Sequence, residues 1–113
     1  MNSQDRALLE LAAKAAGVAG VFVESHGPDI GQDAAGIGRP GARYGDRLWN
    51  PLDDDGDALR LAVKLGMNLD VSGGRACALV RALPGSEEQL GEDPYSSIRR
   101  AIVREAAEIG KTK

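Results

Sequence analysis

One predicted β-hairpin constrains the fold of this chain more than any other feature of its sequence. Residues 67 to 83 contain two runs of alternating apolar residues, separated by the dipeptide Gly73-Gly74. A two-residue hairpin turn needs positive φ angles, which glycine adopts without steric cost. The resulting antiparallel register pairs Met67 with Val80, Leu69 with Ala78 and Val71 with Ala76 on one face. On the opposite face it places Asn68 near Leu79 and Asp70 near Cys77.

Three amphipathic helices are predicted outside the hairpin, each with its own start and stop residues. The first runs from Arg6 to Ala16, with Asn2 or Ser3 as its cap and Gly17 at its end. The second follows the acidic residues 53 to 57 and stops at Gly66. The third begins at Asp93-Pro94 and stops at Gly110.

The remaining sequence divides into two short strands and one glycine-rich segment. Residues 20 to 24 alternate in the manner of a strand, with Phe22 on the face opposite Val21 and Val23. Residues 25 to 41 contain five glycines and two prolines, so we expect a flexible loop there. A second strand is predicted in residues 42 to 49, which carry Tyr44, Leu48 and Trp49.

In chain order these elements are helix, strand, strand, helix, strand, strand, helix. At 113 residues the chain fits a single domain, spanning residues 1 to 113. Helices with one apolar side must cover an apolar sheet. The expected fold is therefore an α+β layered sandwich, in which three helices pack on a largely antiparallel sheet.

Composition and charge narrow the classes of protein. The net charge of -3 and the pI near 5.1 disfavour nucleic-acid binding, because that binding relies on Lys and Arg to neutralise phosphates. No apolar run approaches the roughly 18 residues of a membrane span, and the amino terminus lacks the pattern of a secretory signal. We therefore expect no membrane partner and a cytoplasmic location. One cysteine, Cys77, and one histidine, His26, are too few for structural zinc, and we expect no metal and no cofactor.

The segment WNPLDDDGDALRLAVKLG, residues 49 to 66, raises the question of a calcium loop. An EF-hand loop has glycine at its sixth position, which would be Gly56 here. In that register the first position is Pro51 and the twelfth is Ala62, so two essential ligands are missing. We therefore expect Asp53 or Asp54 to cap a helix, with the other carboxylates near the positive end of its dipole.

Two further patterns point only weakly to catalysis or cofactor binding. Residues 36 to 41 match the GxGxxG string of dinucleotide sites, but the motif needs a preceding strand, and a proline removes one backbone donor. His26 adjoins Ser25 without a third group to orient it, and Cys77 is expected to have a raised thiol pKa. Because no catalytic set emerges, we expect a protein that is not an enzyme.

The third helix carries a basic side opposite its isoleucine stripe. Arg99, Arg100 and Arg104 lie on that side, with Glu105 and Glu108 among them. Guanidinium groups pair well with phosphates and carboxylates, although a charged outer side is also usual for an amphipathic helix. These three arginines are the predicted contact residues for a macromolecular partner.

Three segments of the chain resemble small proteins of temperate bacteriophages and prophages assigned to the phage ABA sandwich domain family. They are LLELAAKAAG at residues 8 to 17, LWNPLDDDGDALRLAVKLG at 48 to 66 and SSIRRAIVREAAEIG at 96 to 110. The resemblance implies an α/β sandwich with a sheet between helical layers, and it implies no catalytic residue. Residues 25 to 47 depart from the family's pattern, since they carry glycine where the family carries more aromatic strand sequence.

These observations favour a non-enzymatic phage or prophage accessory protein that binds a host or phage protein. Two alternatives stay open. One is a nucleic-acid-binding module that uses the arginines of the third helix. The other is a small metal-assisted enzyme with its site around Asp53, Asp55 and Asp57.

Overall fold

The computed structural model describes residues 1–26, 33–42, 46–81 and 83–113. Within these ranges, three helices and two antiparallel sheets form the α+β layered arrangement predicted from the sequence. The helices are α1 (Ser3–Ala16), α2 (Asp55–Lys64) and α3 (Pro94–Gly110). One sheet contains β1 (Val21–His26) and β2 (Asp33–Gly38), and the other contains β3 (Asn68–Ser72), β4 (Arg75–Leu79) and β5 (Ser86–Gln89).

Each helix begins just after a polar capping residue. Asn2 caps α1, because its side chain accepts a hydrogen bond from the Asp5 backbone N–H at 2.8 Å. Asp93 caps α3 in the same way by accepting from the Tyr95 backbone N–H at 3.0 Å. Such caps satisfy backbone donors that the first helical turn leaves free, so the predicted starts are confirmed.

The centre of the molecule lies between α1 and α3, which pack along each other. Leu9 and Val103 are fully buried, and most of the other residues of the buried core are alanines. At the end of α3 a side chain on Gly110 would overlap the Leu11 backbone carbonyl. The two helix backbones therefore approach closely, and small residues are required where they meet.

The predicted hairpin between β3 and β4 is confirmed. Gly73 and Gly74 have φ angles of 60° and 75°, as a type I′ turn requires. The pairs run from Asn68 with Leu79 to Ser72 with Arg75, in the predicted register. Helix α3 packs mainly on β4 and β5, and all five residues of the outer strand β3 are exposed.

The expectation of a loop from 25 to 41 is wrong for residues 33 to 38, because β2 occupies Asp33–Gly38 and pairs along β1. Residues 27 to 32 lie outside the described residues. Of the second strand predicted in residues 42 to 49, the described residues 46 to 49 contain a single bridge, from Trp49 to Ile37, while Tyr44 lies outside the described residues. A Cβ added at Gly36 would lie 2.5 Å from the Trp49 carbonyl oxygen. The absence of a side chain at Gly36 lets the chain at Trp49 approach closely. Glycine content alone does not distinguish this role from that of a glycine in a loop.

Strand β5 is an additional element that was not predicted from the sequence. Its sequence, Ser-Glu-Glu-Gln, contains residues that are poor strand formers. Its alternate side chains face α3: Ser86 is buried against Glu105, and Glu88 pairs with Arg100 and Arg104. Polar contacts with α3, rather than burial of apolar side chains, therefore stabilise this strand.

Candidate functional site

The acidic residues before α2 begin that helix, as predicted. Asp54 is the cap, with its carboxylate accepting from the Asp57 backbone N–H at 2.7 Å. Asp55 and Asp57 lie in the first turn, where the helix dipole favours negative charge. The structural interpretation of this segment is therefore confirmed.

Asp57 is the most deeply buried of these carboxylates, with 2% exposure. One oxygen accepts from the Asn50 backbone N–H at 3.0 Å, and the other accepts from Arg47 at 3.1 Å and Arg60 at 2.8 Å. Buried charge is costly unless it is paired and hydrogen-bonded, and this carboxylate meets both conditions. Its partners tie the start of α2 to the preceding chain.

Asn50 links the same turn to the first sheet. Its side-chain amide donates to the Ala35 carbonyl of β2 at 2.8 Å, and its side-chain oxygen accepts from the Leu52 backbone N–H at 3.0 Å. It is 5% exposed, so these bonds replace water that cannot reach it. The WNPLDDDGD segment thus connects β2 to α2.

The remaining carboxylates of the segment have separate partners. Asp53 accepts from the Asn50 amide at 3.3 Å, whereas Asp55 pairs with Arg99 at 2.6 Å. Across the described ranges, no group of three or more His, Cys, Asp and Glu side chains could hold a metal ion. The hypothesis of a metal-assisted site around Asp53, Asp55 and Asp57 gains no support from this arrangement.

Arg99, one of the three predicted contact residues, lies largely inside the molecule. Its side chain is 14% exposed, and its Nε donates to the Leu52 carbonyl at 2.8 Å. Its two terminal nitrogens approach Asp55 at 2.6 Å and Asp93 at 3.8 Å. This arginine fastens α3 to the start of α2.

Arg100 and Arg104 face β5 and α1. Arg100 pairs with Asp5 at 3.0 Å and with Glu88 at 3.3 Å, while Arg104 lies 3.4 Å from Glu88 and donates to the Glu87 carbonyl at 3.0 Å. All three predicted arginines therefore have intramolecular acceptors. Partner binding through them stays a prediction, although a partner would have to compete with these internal contacts.

Cys77 lies on the outer face of β4, opposite Asp70 in the register. Burial raises the pKa of its thiol, and the hydrogen bond to Glu87 at 3.6 Å and the charges of Glu87 and Asp70 add to that effect. A thiol held in this way is a poor nucleophile, as expected from the sequence. His26 ends β1, and its side chain lies outside the described part of the chain.

The outer edge of β3 is open. Because β3 is the first strand of its sheet, β4 satisfies its backbone on one side only. The described backbone hydrogen bonds include none from other elements to Leu69 or Val71. An unpaired strand edge is a template for another strand.

Apolar side chains, all exposed except the half-buried Ile98, lie next to this edge. Leu59, Leu69, Tyr95 and Ile98 line a shallow cavity of about 300 Å³ between α2, β3 and α3. Val63 lies one helical turn after Leu59, and Val71 lies on the same face of β3 as Leu69, so both extend this surface. We call these six residues the β3 face.

The β3 face was not predicted from the sequence, although one signal for it was present. The run ALRLAV in α2 contains apolar residues beyond the buried positions Ala58, Leu61 and Ala62. An amphipathic helix with one buried side needs no such excess. Leu59 and Val63 are 59% and 73% exposed, so they are the residues in excess.

Comparisons with known proteins give no indication of function, so the β3 face is the main structural evidence for it. Scans of protein families, curated proteins and solved structures found no match. Membership in the phage ABA sandwich domain family stays a prediction. In the described part of the chain, no helix combines the length and the apolar character that a membrane crossing needs.

Proposed function

We propose that this chain is a non-enzymatic protein-binding module, an accessory protein of a temperate phage or prophage that acts in the host cytoplasm. A host or phage protein would dock an extended segment on the open edge of β3 and cover the β3 face. The phage context rests on the resemblance of three segments, and the binding mode rests on the structure of the edge.

The concentration of exposed apolar residues carries this proposal. Eight large hydrophobic side chains are exposed in the described ranges, and five of them belong to the β3 face. The five are Leu59, Val63, Leu69, Val71 and Tyr95. On monomeric soluble proteins, large contiguous apolar patches commonly mark sites that a ligand or partner covers.

Strand addition suits this surface better than a flat contact does. A strand added to a sheet edge gains main-chain hydrogen bonds, and its alternate side chains fill neighbouring pockets. Here the free backbone groups of β3 lie beside the cavity lined by Leu59, Leu69 and Tyr95. A partner segment could therefore obtain affinity from the edge and specificity from the cavity.

The test is selection of peptides from a random displayed library against the immobilised protein. Enriched peptides are then measured on a Val71→Lys variant, which places a flexible cation beside the edge and removes apolar surface. We expect that variant to lose at least about tenfold in affinity, equivalent to 1.4 kcal/mol. A Val21→Lys variant is the matched control, since Val21 is 47% exposed on β1 and Val71 is 51% exposed on β3.

Two outcomes would contradict the proposal. One is the absence of any enriched peptide. The other is a set of enriched peptides that bind the Val71→Lys and Val21→Lys variants equally well. Thermal unfolding of both variants verifies that each has kept its fold, so that a loss of binding is not a loss of structure.

A further inference from the structure

The register of the hairpin determines which backbone groups of β3 are free. In a two-residue hairpin the pair that flanks the turn is hydrogen-bonded, and this pair is Ser72 with Arg75. Bonded and non-bonded pairs alternate along an antiparallel ladder. Asp70 therefore directs its N–H and C=O toward β4, while Leu69 and Val71 direct theirs toward the open edge.

An antiparallel strand that bonds to Leu69 and Val71 must bracket Asp70. The incoming residue opposite Asp70 then belongs to a non-hydrogen-bonded pair, whose Cα atoms lie about 4.5 Å apart. Side chains in such a pair lie close together on the same face of the sheet. For Asp70 that face is the outer one, opposite the face that α3 covers.

Asp70 brings a charge that the described part of the molecule does not neutralise. Its carboxylate accepts a hydrogen bond from the Ser72 hydroxyl at 2.7 Å, and none of the described ion pairs includes it. The nearby cation, Arg75, pairs with Glu87 at 3.0 Å on the same face. The outer face of β3 therefore offers a carboxylate at the position where a partner's side chain would lie.

Pairing of two copies of this chain in the same register would place Asp70 opposite Asp70. Like charges directly opposite each other destabilise a strand pair, and charged residues on edge strands are a known protection against self-association. A register centred on Leu69 avoids that contact. It would need the Met67 backbone N–H, which already donates to the Ala62 carbonyl at 2.9 Å.

We infer that the partner segment runs antiparallel to β3 and carries a lysine or arginine opposite Asp70, between two apolar residues that face Leu69 and Val71. This inference rests on the proposed function, since it specifies the partner of the same edge. Asp70 then has two effects, because it attracts a basic partner and repels a second copy of the chain.

A charge-swap experiment tests the inference directly. Three fluorescein-labelled peptides differ only in their central residue, which is lysine, glutamine or glutamate. Valine and leucine flank that residue, and threonine occupies the outer positions. Fluorescence polarisation measures their binding to the wild type and to Asp70→Asn and Asp70→Lys variants. We expect the wild type to prefer lysine over glutamate by about fivefold, Asp70→Asn to show no preference, and Asp70→Lys to reverse it.

The outcomes separate this inference from the function on which it rests. Binding with the same preference in all three proteins would refute the role of Asp70 and leave strand addition intact. Failure of all three peptides to bind the wild type would overturn both. Sedimentation equilibrium gives a second readout: Asp70→Asn should self-associate more strongly than the wild type, whereas Asp53→Asn, which removes an exposed acid away from β3, should not. Equal self-association of both variants would refute the inference.

Discussion

Replacing Asp57 by alanine should destabilise the protein far more than replacing its neighbours in the acidic segment. The buried Asn50 N–H would lose its carboxylate acceptor, which costs about 1–3 kcal/mol. Arg47 and Arg60 are 75% and 63% exposed, so each lost ion pair adds only about 0–1 kcal/mol. Loss of a negative charge in the first turn of α2 adds about 0.3–1 kcal/mol. We expect a total of about 3 kcal/mol.

Urea denaturation followed by circular dichroism measures this difference in the free energy of unfolding. Asp53→Ala is the matched control, because Asp53 is exposed and has only a 3.3 Å hydrogen bond to Asn50. It should change stability by less than about 0.5 kcal/mol. Equal effects of the two substitutions would refute the structural account of the segment. So would a wild-type midpoint that rises with added calcium and an Asp57→Ala midpoint that does not.

Three further predictions concern other contacts. Gly110→Ala should lower stability by more than about 2 kcal/mol because its methyl group overlaps α1, whereas Gly91→Ala has open space and should have little effect, as thermal unfolding would show. Arg99→Ala should cost about 2 kcal/mol in urea denaturation, since it removes a charged donor from a backbone carbonyl, and a loss below about 0.5 kcal/mol would contradict that account. The raised pKa of Cys77 reduces its thiolate fraction at pH 8. Glu87→Gln removes a negative charge that raises this pKa, so it should speed alkylation of Cys77 by iodoacetamide, and an unchanged rate would contradict this.

The sequence predicted the parts of this fold that depend on local signals. The Gly73-Gly74 turn fixes the register of β3 and β4, and a polar cap fixes the start of each helix. These features require only residues near one another in the chain. For the same reason the sequence alone narrows the cap of α2 to Asp53 or Asp54.

The features that were missed depend on distant partners. Strand β5 is stabilised by Glu105 and by arginines of α3, about a helix length away in sequence, so its own polar residues gave no strand pattern. Strand β2 was obscured by Gly36, whose lack of a side chain makes room for Trp49. The β3 face required knowing that α3 covers β4 and leaves β3 exposed.

The intramolecular contacts of the α3 arginines also depend on distant residues, and they were not predicted from the sequence. Their spacing predicts an exposed basic surface, and a helix viewed alone offers no reason to expect otherwise. The packed structure supplies acceptors for Arg99, Arg100 and Arg104 on α1, β5 and the α2 start. Which charges remain available to a partner is therefore a property of the tertiary arrangement.

The alanine-rich contact between α1 and α3 has a consequence for how this protein can change over time. Ala12 and Ala106 have no exposed surface; Ala12 follows Leu11, which meets Gly110, and Ala106 lies one turn before Gly110, so each contributes only a methyl group where the helices meet. Deleting one methyl forfeits roughly 0.8 kcal/mol, whereas enlarging it forces two closely spaced backbones apart. Substitution at these alanine positions is thus confined to the smallest residues, and larger residues can be introduced only at exposed positions.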